Sequence, residues 1–133
     1  MLPNQASYER LDHGHGIQEI FLKDFRRHSL DAFAADLDTL AIEQRSAPRL
    51  EYVIDLTAIS AATAYGVCFF LEIIEQKINP AKSRIAVLVQ DSPIYELFLR
   101  YMRHYRKDSN IHLFKDRGEA ALWLRGKVAG KAA

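Results

Sequence analysis

The sequence predicts a single α/β domain, built on a mixed and mostly parallel sheet of about five strands with about four helices. Two apolar runs, residues 50–56 and 84–89, have the composition of strands that are covered on both faces. Amphipathic segments separate these runs, and strands that alternate with helices form parallel crossovers. A glycine-containing connection between the first two strand-like segments adds an antiparallel pair. The predicted order is therefore β-β-α-β-α-β-α-β-α.

The size and composition of the chain are those of one ordinary globular domain. Its 133 residues can bury a single core, and we assign residues 1–126 to the domain and 127–133 to a flexible tail. The formal net charge of +1 gives no overall attraction for nucleic acid or anionic membranes. One cysteine, no signal-like start and no apolar run of about 20 residues predict a cytoplasmic protein without membrane insertion.

The first three predicted elements are a hairpin and a helix. Tyr8–Asp12 and residues 17–23 are the two strands of the hairpin, and the turn between them contains two glycines. Ser29 is interpreted as the N-cap of the helix, because its hydroxyl can accept a hydrogen bond from an amide in the first turn. The apolar stripe of this helix is Leu30, Phe33, Leu37, Leu40 and Ala41.

The second helix follows strand 50–56 after a loop of small residues, 57–62. Thr63 is interpreted as its N-cap. Pro80 ends the helix soon after Lys77, because proline disfavours helical geometry in the residue before it. The stripe that should face the core has helical spacing and consists of Val67, Phe70, Leu71 and Ile74.

Two more strand–helix units complete the chain. Strand 84–89 is followed by Ser92-Pro93, a cap and a first-turn proline that predict a helix to about residue 107. Ile111–Phe114 is a short final strand. Asp116 and Glu119 have the spacing of a capping box for the last helix.

No motif of enzyme chemistry is present, since glycine-rich phosphate loops, a nucleophile elbow and a zinc-protease helix are all missing. We therefore predict a non-catalytic protein without a cofactor or a metal site. His13 and His15 would supply at most half of a zinc site and are interpreted as part of an exposed turn. Cys68 lies in an apolar segment and is interpreted as a packed side chain.

A basic face is predicted on the third helix, where Arg100, Arg103 and Lys107 are interleaved with aromatic residues. Such a pattern can bind nucleic acid. A solvated face is favoured instead, because positive charge suits the C-terminal end of a helix and the net charge is near zero.

The order and spacing of several short matches resemble the STAS domain, a family that includes anti-sigma-factor antagonists and the cytoplasmic domains of sulphate transporters. Residues 55–59 (Asp-Leu-Thr-Ala-Ile) match the end of the central strand, and residues 63–67 (Thr-Ala-Tyr-Gly-Val) fall on the start of the next helix. The Asp-Ser-Pro loop at 91–93 and the helix sequence at 119–124 are also similar to the family. The resemblance covers residues 8–124 and implies the same fold and a regulatory function.

The resemblance has one informative departure. Ala64 stands where the family has its phosphorylatable serine, and Thr63 stands where it has an aspartate. Ala64 has no hydroxyl group, so the resemblance implies a regulatory module without the usual phosphorylation switch. Thr57, Ser60 and Thr63 retain hydroxyl groups nearby, and we expect them to form hydrogen bonds with a partner.

Tyr65 and Phe69, four residues apart, project from the side of the second helix opposite its apolar stripe. Aromatic residues are enriched in the buried centres of protein interfaces, so these two are candidate anchors for a partner. Ordinary packing inside the domain is the alternative interpretation. The family docks its partners on this loop and helix, which implies a protein partner, such as an anti-sigma-type kinase or a transporter component, or a homodimer.

The sequence leaves open a function of another class, the binding of a small apolar ligand. A related branch of this fold resembles the CRAL-TRIO lipid carriers, which implies a site for a small apolar ligand between the helices and the sheet. Phe69, Phe70 and Phe98 are the candidate lining residues of that site.

Overall fold

Strands and helices alternate along the chain after an initial strand pair, in the order that the sequence predicts. The computed structural model describes residues 8–12, 17–43, 50–59, 63–78, 83–91, 93–105 and 111–125. The elements are β1 (Tyr8–Asp12), β2 (Ile17–Leu22), α1 (Arg27–Glu43), β3 (Leu50–Asp55), α2 (Ala64–Lys77), β4 (Ser83–Leu88), α3 (Pro93–Tyr105), β5 (Ile111–Phe114) and α4 (Arg117–Leu124). The predicted tail, 127–133, lies outside the described residues.

The five strands form one sheet in the order β1-β2-β3-β4-β5. β1 pairs with β2 in antiparallel register, and Tyr8 lies opposite Leu22, which confirms the predicted hairpin. The other neighbours are parallel, as strand–helix–strand crossovers require. Each crossover therefore adds one strand to the same growing edge, and the carboxyl ends of β2, β3, β4 and β5 lie along one side of the sheet.

One face of the sheet packs against α1, α2 and α3. Alternating strand residues and the apolar stripes of these helices form a single buried cluster. Phe70 of α2 is at its centre, with ring centroids 5.3 Å from Phe33 of α1 and 5.8 Å from Phe98 of α3. The three helices are thus joined to one another through aromatic contacts as well as to the sheet.

The opposite face of the sheet packs against α4. Val53, Ala86 and Leu88 form a second, smaller buried cluster with residues of this helix. β3 and β4 are consequently covered on both faces, as their apolar sequences predict. Trp123 of α4 stacks on His112 of β5, with ring centroids 4.5 Å apart.

Two predictions about α1 are wrong. The helix begins at Arg27, so Ser29 is a buried first-turn residue and not the N-cap. Its hydroxyl donates to Asp24 Oδ1 at 2.8 Å, and Asp24 also accepts the Arg26 amide at 3.0 Å. Asp24 thus links the residues before the helix to its first turn, because its carboxylate accepts both donors. Ala41 is exposed, since the stripe that ends at Leu40 already faces the sheet.

The other predicted helix starts are confirmed where the structure describes them. Thr63 and Asp116 are the N-caps of α2 and α4, and Asp116 accepts the Glu119 amide at 3.1 Å. Pro93 is the first residue of α3, while Ser92 lies outside the described residues. α3 is described as far as Tyr105, which is short of the predicted end near residue 107.

Candidate functional site

The start of α2 presents a pair of aromatic rings at the surface. Tyr65 is 76% exposed, although it is a large side chain of partly apolar character. Its ring stacks on that of Phe69, with centroids 6.0 Å apart, and Phe69 is half-buried against the core. Phe69 is therefore held by the domain, while Tyr65 covers it from the solvent side. The sequence allowed two interpretations of this pair, as anchors for a partner or as ordinary packing inside the domain. Phe69 is partly packed and Tyr65 is exposed, so the arrangement lies between the two.

A groove adjoins this pair where the start of α2 meets the segment that leads into α1. Its volume is about 260 Å³, and its lining residues are Phe25, Arg27, Leu30, Thr63, Tyr65, Gly66 and Phe69. Phe25 lies close against the start of α2, since a Cβ atom at position 66 would be 3.4 Å from its side chain, at the limit of ordinary van der Waals contact. The groove thus combines an aromatic and aliphatic floor with one basic side chain at its rim.

Thr63 uses its side chain to cap α2. Its Oγ1 accepts a hydrogen bond from the Gly66 amide at 3.0 Å, and its backbone is extended. The hydroxyl proton of Thr63 can still be donated to a partner, because capping uses only a lone pair of the oxygen. Ala64 is the exposed first residue of the helix and presents only a methyl group there.

Thr57 is exposed at the beginning of the loop, and its contacts fix the loop to the sheet. Its amide and its hydroxyl both donate to Asp55 Oδ1, at 2.9 and 2.6 Å. The Gln90 side chain, just beyond β4, donates to the Thr57 carbonyl. These bonds hold the first residues of the loop against the carboxyl ends of β3 and β4.

Asp55 also connects this loop to α4. The second oxygen of its buried carboxylate accepts a hydrogen bond from Arg117, the first residue of α4, and Arg117 also pairs with Glu19 of β2. Sequence reasoning missed this connection. The available signal was an acidic residue at the end of a mostly apolar strand, since a buried carboxylate needs a partner.

The structure brings together only some of the residues that the sequence proposed. Thr63, Tyr65 and Phe69 share the groove, whereas Thr57 is not among its lining residues. Ser60 lies outside the described residues. Sequence reasoning also missed Phe25 and Arg27, although the segment Phe25-Arg26-Arg27-His28 places bulky and basic residues directly before a helix.

The ligand site proposed from Phe69, Phe70 and Phe98 is not formed as expected. Phe70 and Phe98 are fully buried and pack edge to face, so they fill the core. Another cavity, of about 290 Å³, lies between α4 and the opposite face of the sheet. Its lining residues are Ile17, Glu19, Val53, Arg117, Ala121, Leu124 and Arg125.

Of the remaining candidates, Arg100 and Cys68 have described side chains, and neither lines the groove. His13 and His15 lie outside the described residues, as do the side chains of Arg103 and Lys107, whereas Arg100 is exposed. Across the described parts of the chain, no three histidine, cysteine or acidic side chains are grouped as a metal site would require. Cys68 is half-buried in α2.

Among the described helices, none combines the length and the apolar character needed to cross a lipid bilayer.

Comparison with known proteins finds no family model, no curated protein and no solved structure that matches this chain. The similarity to the STAS domain therefore rests on the short sequence matches and on the order of the elements.

Proposed function

We propose that this domain is a non-catalytic, regulatory protein-interaction module that resembles an anti-sigma-factor antagonist but lacks the serine phosphorylation switch. The observation that supports the proposal most is the exposure of Tyr65 on a supporting Phe69 ring, beside a preformed groove. An exposed aromatic ring that is stacked and held in place loses little conformational entropy on binding, which suits an interface anchor.

The free energy available at this surface is sufficient for a specific contact. Complete burial of one large apolar side chain contributes about 1.5–3 kcal/mol. Tyr65 and Phe69 together would supply much of the affinity of a small transient interface, with the Thr63 hydroxyl as a hydrogen-bond donor at its edge. We expect Thr57 to contribute to binding only through its exposed surface, because its hydroxyl proton is already donated to Asp55.

Control of binding would then lie with the partner. Ala64 occupies the position of the phospho-acceptor and offers no oxygen, so the domain would be competent to bind at all times. The partner we propose is a protein, such as an anti-sigma-type kinase or a transporter component, or a second copy of this chain.

Site-specific photocrosslinking tests the proposed function. A benzoylphenylalanine residue replaces Tyr65 in one variant and Leu122, an exposed residue of α4 on the opposite side of the sheet, in a control variant. Irradiation in the cells that produce the protein should give a discrete adduct from position 65 that position 122 does not give. An adduct pattern that is the same at both positions, or none at position 65, would contradict the proposal. Sedimentation velocity of wild type and of the Tyr65→Ser variant distinguishes a homodimer from another partner. If the partner is a second copy of the chain, the wild type should sediment as a dimer and the variant as a monomer.

The ligand-binding alternative is favoured by a separate observation, the cavity under α4 with its apolar walls. Its volume of about 290 Å³ lies near the lower end of the range for small-molecule sites. Native mass spectrometry of freshly purified protein tests this alternative. A bound small-molecule mass that is lost in a Val53→Trp variant would support a ligand carrier and argue against a purely protein-binding role.

A further inference from the structure

We infer that the groove beside Tyr65 binds an acidic segment of the partner protein, in which a carboxylate lies next to a large apolar anchor residue. This inference rests on the proposed function and adds the chemistry of the partner to it. Two features of the same surface support it: the apolar lining of the groove and the exposed basic side chain of Arg27 beside that lining.

The shape of the groove suits one apolar side chain. Phe25, Leu30 and Phe69 supply the aromatic and aliphatic surface, and Tyr65 forms an exposed wall. A leucine, phenylalanine or tryptophan residue of a partner would fill the groove and cover the stacked rings. Aromatic and aliphatic contacts of this kind form the centres of protein interfaces.

The segment 23–27, which contributes Phe25 and Arg27 to the groove, is basic. Residues 23–27 contain three basic side chains, Lys23, Arg26 and Arg27, all exposed, and one acidic side chain, Asp24. The segment thus has a formal charge of +2, twice that of the whole chain. The Asp24 carboxylate is engaged by the Arg26 amide and the Ser29 hydroxyl and lies half-buried. The first turns of α1 and α2 contain no acidic residue, but the exposed Asp31 lies four positions after Arg27 on α1 and offsets part of this charge.

Arg27 is the basic residue that lines the groove itself. A guanidinium group binds a carboxylate through two parallel hydrogen bonds, which fixes the orientation of the bound segment as well as attracting it. A carboxylate beside Arg27 would lie within a few residues of the apolar anchor in the groove. The expected motif is therefore Asp or Glu within about four residues of Leu, Phe or Trp.

A protein segment suits this surface better than a nucleic acid. Nucleic-acid sites need several basic side chains along an extended path to contact successive phosphates. Here a single arginine adjoins an apolar groove, and the chain as a whole has a net charge of only +1. Binding of an oligonucleotide is accordingly an outcome that would overturn the inference.

Selection from a random library tests the inference without knowledge of the natural partner. Displayed 12-residue peptides are selected on the full chain, and peptides that also bind the Tyr65→Ser variant are removed. The enriched peptides should contain the acidic–apolar motif. Arg27→Glu should weaken their binding about tenfold or more, as loss of a charge-assisted bidentate contact does. The matched control Arg100→Glu, at an exposed position of α3 outside the groove, should leave binding unchanged.

The possible results separate this inference from the proposed function. Peptides that depend on Tyr65 but lack acidic residues, or that bind Arg27→Glu equally well, would overturn the inference and leave the interaction module intact. Arg27-dependent binding of a fluorescent 20-nucleotide oligothymidylate would also overturn it. A library that yields no Tyr65-dependent peptide would contradict both. Circular dichroism confirms that each variant is folded before selection.

Discussion

Arg84 of β4 and Glu51 of β3 are opposite one another across two parallel strands and form a largely buried ion pair. Both Nε and Nη2 of Arg84 donate to one oxygen of Glu51, at 3.1 and 2.8 Å. The same guanidinium donates to the carbonyl oxygens of Trp123 and Leu124, the last residues of α4. A strand residue thus satisfies the free carbonyls at the end of a helix, which fixes α4 to the sheet.

Replacement of Arg84 by methionine should destabilise the domain by about 3 kcal/mol, because it leaves the Glu51 carboxylate and two helix carbonyls without their buried donor. Urea unfolding monitored by Trp123 fluorescence measures this loss. The Arg84→Met, Glu51→Met double variant should recover part of the stability, since no buried charge is left uncompensated. A loss of less than about 0.5 kcal/mol in the single variant would mean that the pair does not attach α4 to the sheet.

Replacement of Thr63 by alanine should cost about 1 kcal/mol of stability, because the Gly66 amide loses the side-chain oxygen that caps α2. Thr63→Ser is the matched control and should remain close to wild type, since it keeps an acceptor in the same place. Equal destabilisation of the two variants in thermal unfolding would show that the threonine methyl group, and not the cap, is the important feature.

The fold could be predicted because its signals are local. The apolar runs of β3 and β4 differ in period from the helical stripes between them, and Asp116 and Glu119 mark the start of α4 within four residues. Ser29 misled the prediction for the same reason. Serine is a frequent N-cap, but the helix begins two residues before Ser29, whose hydroxyl donates to Asp24, and the sequence alone does not reveal this contact.

The site could be predicted only in part because its contacts join distant residues. Tyr65 and Phe69 are four residues apart on one helix, so their proximity follows from helical geometry. The groove needs Phe25 and Arg27, which the fold brings to α2 from nearly forty positions earlier in the chain. Periodicity shows which face of a helix is polar, but it does not show which other segment will lie beside that face.

Replacement of Asp55 by alanine should loosen the start of the loop after β3. The Thr57 amide donates to the Asp55 carboxylate, so its hydrogen exchange should accelerate about tenfold or more when that acceptor is removed. Arg117→Ala is the control, because it removes the contact with α4 while keeping the Asp55–Thr57 hydrogen bonds. Unchanged exchange at Thr57 in Asp55→Ala would indicate that the Gln90 contact alone holds the loop.

Tyr52 makes the stability of the domain sensitive to alkaline pH. Burial raises the pKa of its hydroxyl from the ordinary 10.0 to about 12, because the phenolate would lie in the core. Above pH 10 the unfolded chain therefore releases this proton more readily than the folded one, and stability falls as the pH rises from 10 to 12. The loss should be about 1.4 kcal/mol at pH 11 and approach about 2.7 kcal/mol, which corresponds to two pKa units, only above pH 12. The free energies of unfolding of wild type and Tyr52→Phe, measured in urea at pH 9 and pH 11, isolate the contribution of this hydroxyl. A difference between the two proteins that does not change with pH would contradict the raised pKa of Tyr52.

Tyr65 should be dispensable for folding, in contrast to the buried aromatic residue one turn and a half further along the same helix. Tyr65→Ser should change the free energy of unfolding by no more than about 0.5 kcal/mol, because the side chain is mostly exposed. Phe70→Ala should cost about 3–5 kcal/mol, because it leaves a cavity between Phe33 and Phe98. That outcome would support the proposed role of Tyr65 in binding. Strong destabilisation by Tyr65→Ser, measured in the same urea titrations, would instead indicate that the Tyr65–Phe69 stack completes the core, and it would remove the main support for the docking surface.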